Sequence, residues 1–221
     1  MAGTGLVFDS NKTKLGEIPY VYDFALIDLP SRYRESGQHG GTDDHYPTMT
    51  LDEIKRLPIP KLMARNSIIC LWATWPLWLE DYYKEVLAAW KYRLHSKAFT
   101  WIKKNPIAGT TFKGTGRFTR ANDEFAVFAI RGGGIPSRNV AISQIVEEEP
   151  GYVVESARGA HSEKPEIVSE HLWDLFRPAQ MIELFARRPN RYMDTWGNQL
   201  GAAPAPAPGR RKRARGRQSR L

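Results

Sequence analysis

The chain has 221 residues, 42% hydrophobic and 25% charged, so its length favours one domain with a sizeable core over two domains. Its formal net charge is +8, but seven basic side chains lie in residues 201–221, which hold no acidic residue and leave only +1 for residues 1–200. The basic character therefore belongs to a tail, and the body of the protein is nearly neutral.

Membrane and secretory classes are disfavoured. No apolar stretch approaches the roughly 20 residues that a membrane span requires, and the first residues lack a signal-peptide pattern. Cys70, the only cysteine, lies in the apolar run 68–72, so we expect a buried thiol in a reducing compartment. We therefore expect a soluble protein without a membrane partner, located in the cytoplasm or nucleoid of a prokaryote, or in the nucleus of a eukaryote.

Strand and helix signals alternate along the chain. The predicted strands are residues 24–27, 67–74, 98–103, 124–130 and 181–186. The predicted helices are a short one that starts at the capping box Thr50-Leu51-Asp52-Glu53 and is ended by Pro58 and Pro60, one over 76–90, and one over 165–176 with Pro165 in its first turn. This alternation predicts an α/β fold with a mostly parallel sheet flanked by helices.

The C-terminal segment changes composition abruptly after Gly201. Alternating Ala and Pro give an extended linker, and the residues after it have almost nothing to bury, so we expect a folded domain over 1–200 and a disordered tail over 201–221. The basic residues of this tail are Arg210, Arg211, Lys212, Arg213, Arg215, Arg217 and Arg220. The block is typical of a nuclear-localisation-like signal or of an arm that binds RNA or DNA through its phosphates.

The predicted strand that begins the α/β pattern ends on Asp28 and is followed by Leu29-Pro30-Ser31. In open α/β sheets, ligands bind outside the carboxyl ends of the strands. Asp28 therefore occupies a position where chemistry is expected.

Several further segments along the chain are informative when they are taken together with this corner. With the corner at 28–31, they are His45-Tyr46-Pro47-Thr48-Met49-Thr50, Asp52-Glu53, Leu71-Trp72-Ala73-Thr74, Phe99-Thr100-Trp101-Ile102-Lys103, His161-Ser162-Glu163-Lys164-Pro165, Ile182-Glu183-Leu184-Phe185-Ala186-Arg187 and Trp196-Gly197-Asn198-Gln199. In this order, they resemble the MT-A70 family of S-adenosylmethionine-dependent adenine-N6 methyltransferases, over about residues 22–200. The resemblance implies a Rossmann-like class I methyltransferase fold with a circularly permuted motif order.

The corner departs from the family pattern, which is Asp-Pro-Pro-Trp. The resemblance implies that the Asp28 carboxylate and the backbone carbonyl at Pro30 accept the two N–H bonds of the adenine amino group. Ser31 cannot stack on a base as the family's aromatic residue does, and Leu29 lacks the φ restriction of proline.

Two functions follow from this altered corner. Either Tyr33 or Tyr46 supplies the missing ring and the chain is an active methyltransferase, or the chain resembles the family's silent subunits, which bind nucleic acid for an active partner. The basic arm and the lack of a recognisable RNA-reading module favour DNA over RNA. A homodimer, or a heterodimer with a related methyltransferase subunit, is a further expectation from the resemblance.

The resemblance also assigns the cofactor site, with Asp28 at its edge. Lys164 matches a lysine that contacts the carboxylate end of S-adenosylmethionine. The other matched positions are Glu183, Arg187 and Asn190 around the ribose and methionine, and Asn198 with Gln199 at the adenine and ribose. Pro189 stands where the family can have a histidine, which removes one polar contact.

Other candidates are weaker. The cluster His39, Asp43, Asp44 and His45 matches no zinc or calcium spacing, and methyl transfer to nitrogen needs no metal, so we expect none. Lys113, Arg117 and Arg120, near the Gly/Thr-rich segment 109–116, are expected to contact phosphates. The tryptophans at 72, 75, 78, 90 and 101 are expected mainly to pack in the core.

Overall fold

Eight strands form one sheet in the computed structural model, which describes residues 5–31, 48–105, 109–112, 114, 118–138, 140–147, 164–198 and 200. The strands are β1 (Val7–Asp9), β2 (Tyr22–Ile27), β3 (Met63–Ala73), β4 (Arg93–Ile102), β5 (Asp123–Arg131), β6 (Ile145–Glu147), β7 (Met181–Leu184) and β8 (Asp194–Gly197). The helices are the 3-10 helix η1 (Leu15–Glu17) and the α-helices α1 (Leu51–Lys55), α2 (Ile59–Leu62), α3 (Trp75–Leu79), α4 (Tyr82–Ala89) and α5 (Glu166–Phe176).

The strand order across the sheet is β1-β8-β7-β2-β3-β5-β4-β6. Strand β5 runs antiparallel to its neighbours β3 and β4, and the other five pairings of described strands are parallel. The predicted α/β fold with a mostly parallel, helix-flanked sheet is therefore confirmed. Because β5 is reversed, its amino end lies at the edge where the parallel strands have their carboxyl ends.

Each face of the sheet carries its own apolar layer, since successive strand side chains point to opposite faces. On β2, Ala25 and Ile27 pack with the helices from η1 to α4, whereas Phe24 and Leu26 pack against α5. Cys70 is fully buried in the layer under α5, as the sequence predicts. The polar ends of the strands are therefore held in place by packing on both sides.

The capping box at the start of α1 forms as predicted. The Thr50 hydroxyl accepts from the Glu53 N–H at 3.3 Å, and the Glu53 carboxylate accepts from the Thr50 N–H at 2.8 Å. Pro58 and Pro60 do more than end this helix: Pro58 is the N-cap of α2, and Pro60 lies in its first turn. Proline suits that position because the first helical N–H groups have no partner within the helix.

The predicted single helix over 76–90 is wrong, because the segment forms the two helices α3 and α4. Asp81 between them has φ of +57°, a left-handed conformation that a right-handed helix cannot continue. The apolar spacing persists across this break, so periodicity alone could not reveal it.

Three strands were not predicted, namely β1, β6 and β8, and the strands β3 and β4 extend further toward their amino ends than expected. The missed strands have three or four residues each, too few for an alternation signal.

Among the described residues, no helix has both the length and the apolar character needed to cross a membrane.

Candidate active site

The centre of the sheet contains a topological switch point. From β2 the chain continues to its neighbour β3 on one side, and from β7 it continues to β8 on the other. Strands β2 and β7 are adjacent, with Ile27 beside Leu184. Crevices at such points are where open α/β sheets bind ligands. Asp28 directly follows β2 and Glu183 lies near the end of β7, so both carboxylates border this crevice.

A cavity lies at the switch point on the α5 side of the sheet. It has a volume of about 140 Å³ and opens to solvent. Its lining comes from the ends of β2, β3 and β7, the start of α5 and the loop after β7, as follows: Leu26, Asp28, Trp72, Lys164, Pro165, Glu166, Val168, Ser169, Glu183, Phe185, Arg187, Arg188, Pro189, Asn190 and Arg191.

Lys164, just before α5, is paired with two carboxylates. Its Nζ donates to Asp28 Oδ2 at 2.8 Å and lies 3.0 Å from Glu124 Oε2. The same Nζ lies 5.5 Å from the ring centroid of Trp72, within the range of a cation–π contact. The second oxygen of Glu124 accepts from Lys103. These contacts join the ends of β2, β4 and β5 to the start of α5.

These ion pairs reverse the effect of burial on two pKa values. Burial alone would lower the pKa of Lys164, but the nearby Asp28 and Glu124 carboxylates raise it above its usual value. Burial alone would raise the pKa of Glu124, but Lys164 and Lys103 together lower it. Both groups are therefore charged at neutral pH.

Glu183 has a different environment. Burial raises its pKa to about 7, an effect that Asn190 and Arg188 offset only in part. Asn190 Nδ2 donates to Glu183 Oε2 at 2.6 Å and lies 2.9 Å from Ser169 Oγ on α5. In its ionised form this buried carboxylate is a strong acceptor for ligand hydroxyl or ammonium groups.

The loop after β7 is fixed at both ends. Phe185 has φ of +62°, and a Cβ added at Gly197 would lie 1.9 Å from the Ala186 carbonyl oxygen. The close approach of the loop to β8 therefore requires glycine at position 197. At the far end, Arg191 pairs with Glu166 at 2.6 Å, which ties the loop to the start of α5. These contacts hold residues 187–190 beside the cavity.

The corner after β2 turns its serine away from solvent. Ser31 is 6% exposed, and its Oγ is buried close to the buried hydroxyl of Tyr82. The Pro30 carbonyl accepts from the Met49 N–H at 2.7 Å, which occupies one of its two lone pairs. Residue 31 therefore contributes no ring to the cavity.

The sequence profile of the MT-A70 family matches residues 22–199. The chain belongs to the MT-A70 family. This MT-A70 chain is also 30% identical over 161 residues to the Type II methyltransferase M.MunI of Mycoplasma sp, an alignment that covers 70% of this chain and 60% of that protein. The chain thus spans about 60% of the length of this curated relative.

The cavity of this MT-A70 chain brings together five residues predicted from the sequence, namely Asp28, Lys164, Glu183, Arg187 and Asn190. Three described candidates are not among its lining residues: Pro30 in the corner, Asn198, which is exposed after β8, and Arg120, which is exposed before β5. Their proposed roles stay predictions, as do those of the five cavity residues.

The remaining candidates lie outside the described residues. They are Tyr33, Tyr46, Lys113, Arg117, Gln199, the tail from 201 to 221, and the cluster His39, Asp43, Asp44 and His45. Within the part of the chain that is described, no group of His, Cys, Asp or Glu side chains is arranged to hold a metal ion.

Glu124 was missed because the sequence gives no sign that β5 is reversed, whereas Lys103, which follows the carboxyl end of β4, was part of a motif but was given no role. An acidic residue at the start of an apolar strand would lie far from the site if all strands were parallel.

The expectation that the tryptophans pack in the core is met in part: Trp72, Trp90 and Trp101 are buried, but Trp75 is half exposed. Trp72 belongs to the core and also lines the cavity.

Proposed function

We propose that this chain is an S-adenosylmethionine-dependent adenine-N6 methyltransferase that acts on nucleic acid, with DNA as the favoured substrate. The observation that carries the proposal is the meeting of Asp28, Glu183 and Lys164 in one cavity at the switch point. Membership of the MT-A70 family and the likeness to a Type II methyltransferase support it. The basic tail supports nucleic acid as the substrate, and we favour DNA because no RNA-reading motif is recognisable in this sequence.

The chemistry of the cavity fits S-adenosylmethionine. Lys164 and Arg187 are cations suited to a carboxylate, whereas Glu183 and Asn190 offer oxygens to the ribose hydroxyls and the ammonium group. When bound, this cofactor supplies an electrophilic methyl group on a positively charged sulfur. The family resemblance adds Asn198 and Gln199 at the adenine and ribose.

Asp28 is the residue that would prepare the substrate. The amino nitrogen of adenine is a poor nucleophile because its lone pair is delocalised into the ring. A carboxylate that accepts one of its N–H bonds orients the amino group and favours the positive charge that develops on nitrogen during transfer. Transfer would form a bond between the amino nitrogen and the methyl carbon as the sulfur–methyl bond breaks, with S-adenosylhomocysteine as the leaving group. The nitrogen would then lose one proton to solvent, and no covalent enzyme intermediate would be needed. Since Asp28 is paired with Lys164, it must exchange this ammonium for the substrate.

The second candidate function is a silent, nucleic-acid-binding subunit that supports an active partner. The burial of Ser31 favours it, because the residue that replaces the family's aromatic ring is buried beside Tyr82 and presents no ring to a base. An active enzyme must take its stacking ring from elsewhere, and Tyr33 and Tyr46 remain the sequence candidates.

The deciding experiment measures methyl transfer from labelled S-adenosylmethionine to duplex DNA, single-stranded DNA and RNA. We expect incorporation into at least one of these, and a loss of at least about 100-fold in Asp28→Ala. Asp23→Ala is the matched control, because it removes a carboxylate from the opposite end of β2. If all three substrates stay blank while the cofactor or nucleic acid binds, the silent-subunit function is supported instead.

A further inference from the structure

Four charged side chains alternate in sign from the cavity to the end of β4, in the order Asp28, Lys164, Glu124 and Lys103. The central pair is the most enclosed, since the side chains of Lys164 and Glu124 are each only 12% exposed. Asp28, at the cavity end, has a side chain that is 32% exposed and can reach a ligand. Glu124 does not line the cavity, so its contact with the reaction would be indirect.

We propose that Glu124 is a positioning residue, which retains Lys164 when Asp28 releases it and takes the amino group of the adenine substrate. The inference rests on the proposed function, because it concerns the acceptor role of Asp28. The inference adds a residue outside the cavity, Glu124, which controls how readily Asp28 is released from Lys164 to accept the amino group of adenine.

The need for such a residue follows from the burial of Lys164. A buried ammonium group without a counter-ion is strongly unfavourable, so Lys164 cannot leave Asp28 unless another anion compensates it. Glu124 Oε2 lies 3.0 Å from the Lys164 Nζ, close enough to hold it without a large movement. The face of the Trp72 ring offers a further favourable contact with the same ammonium group.

Glu124 is itself held in place from its other side. Its Oε1 accepts from Lys103, whose Nζ lies 5.0 Å from the ring centroid of Trp101. The rings of Trp101 and Trp72 pack edge to face with centroids 6.3 Å apart. The carboxylate is thus fixed between two lysines that rest on two packed tryptophan rings, which is the arrangement expected of a positioning group.

The test is Glu124→Gln, which keeps the shape and a hydrogen-bond acceptor but removes the charge. Lys164 then loses one of its anionic partners, so its release from Asp28 becomes less favourable. We expect the single-turnover rate of methyl transfer to fall at least tenfold, with S-adenosylmethionine affinity within threefold of wild type. Glu124→Asp, which restores the charge, should recover part of the loss.

Glu147→Gln is the matched control. Glu147 pairs with Lys104, the neighbour of Lys103. The substitution therefore removes a comparable lysine–glutamate contact that lies outside the network of Asp28, Lys164, Glu124 and Lys103. Its rate should stay within twofold of wild type. In a Lys164→Met background, Glu124→Gln should change the rate by less than twofold, because Glu124 acts through Lys164. An equal loss in both backgrounds would overturn the proposal.

A second readout does not require transfer. We would compare the binding of an oligonucleotide of deoxyadenosine with that of the same oligonucleotide built from purine deoxyriboside, which lacks the 6-amino group. Wild type and Glu147→Gln should prefer deoxyadenosine at least threefold, and Glu124→Gln should lose this preference.

The two readouts separate the inference from the proposed function. A wild type that shows the preference but transfers no methyl group would contradict the proposed function and leave the role of Glu124 intact. The inference is overturned if wild type has no preference, or if Glu124→Gln keeps it.

Discussion

Glu183 is a carboxylate whose charge changes close to neutral pH, because burial raises its pKa from 4.5 to about 7. Between these values the folded state binds more protons at this site than the unfolded state does. The free energy of unfolding therefore falls as pH rises from about 4.5 to about 7. Above that range Glu183 is ionised in both states, and the loss of stability from its burial has reached its full value. The side chain that is proposed to bind the cofactor thus carries a cost in stability.

Replacing Glu183 by Gln should remove this dependence on pH. We expect Glu183→Gln to be more stable than wild type by about 1–3 kcal/mol at pH 8, with no gain at pH 4. Denaturant unfolding at both pH values measures the difference. Glu85→Gln, which alters an exposed pair with Lys55, is the control and should leave the pH dependence unchanged. Parallel pH profiles for wild type and Glu183→Gln would contradict the assignment.

At the scale of elements, the short helices owe their positions to local signals. Helix α1 has five residues, too few to be stable alone, yet its capping box satisfies N–H groups at its start. Ile54 of the same helix is fully buried, and its carbonyl accepts from the Trp90 indole at 3.1 Å. The cap and this burial together fix α1 against α4.

Removing the cap tests this account. Thr50→Ala should lower the free energy of unfolding by about 1 kcal/mol, because the Glu53 N–H loses its acceptor. Thr50→Ser keeps the hydroxyl and should lose less than half as much. Thermal or denaturant unfolding of the three proteins gives the comparison, and equal losses in both variants would exclude the hydroxyl as the cause.

At the scale of the whole molecule, the body and the tail are expected to divide the work of binding. The tail from 201 to 221 holds seven basic residues and no acidic one, whereas residues 1–200 carry only +1. Neutralising phosphates releases counterions and makes binding depend steeply on salt. We therefore expect the tail to supply affinity for nucleic acid, and the cavity to supply cofactor binding and chemistry.

Deleting residues 202–221 should weaken nucleic-acid binding and reduce the slope of log affinity against log salt by up to about six. The affinity for S-adenosylmethionine should not change. Binding titrations of both proteins over a range of salt concentrations measure the slopes, and the cofactor titration serves as the internal control. An unchanged slope would show that the tail does not contact the phosphates.

Much of the site could be predicted because strand ends are local features. Asp28 follows an apolar run, Glu183 ends another, and Lys164 precedes a helix that begins with proline. In a sheet whose parallel strands end at one edge, such residues converge whatever the details of packing. Their order along the chain also carries the family resemblance, which the MT-A70 match over residues 22–199 confirms.

The sequence by itself determined the α/β class, the family and the residues that meet at the strand ends, because periodicity, caps and motif order are encoded locally. Only the tertiary structure decided the direction of β5, the break at Asp81 and the burial of Ser31. Strand direction depends on which neighbours a strand pairs with, and burial depends on what packs over a side chain. For this reason Glu124, at the start of a reversed strand, joined the site only when the sheet was assembled.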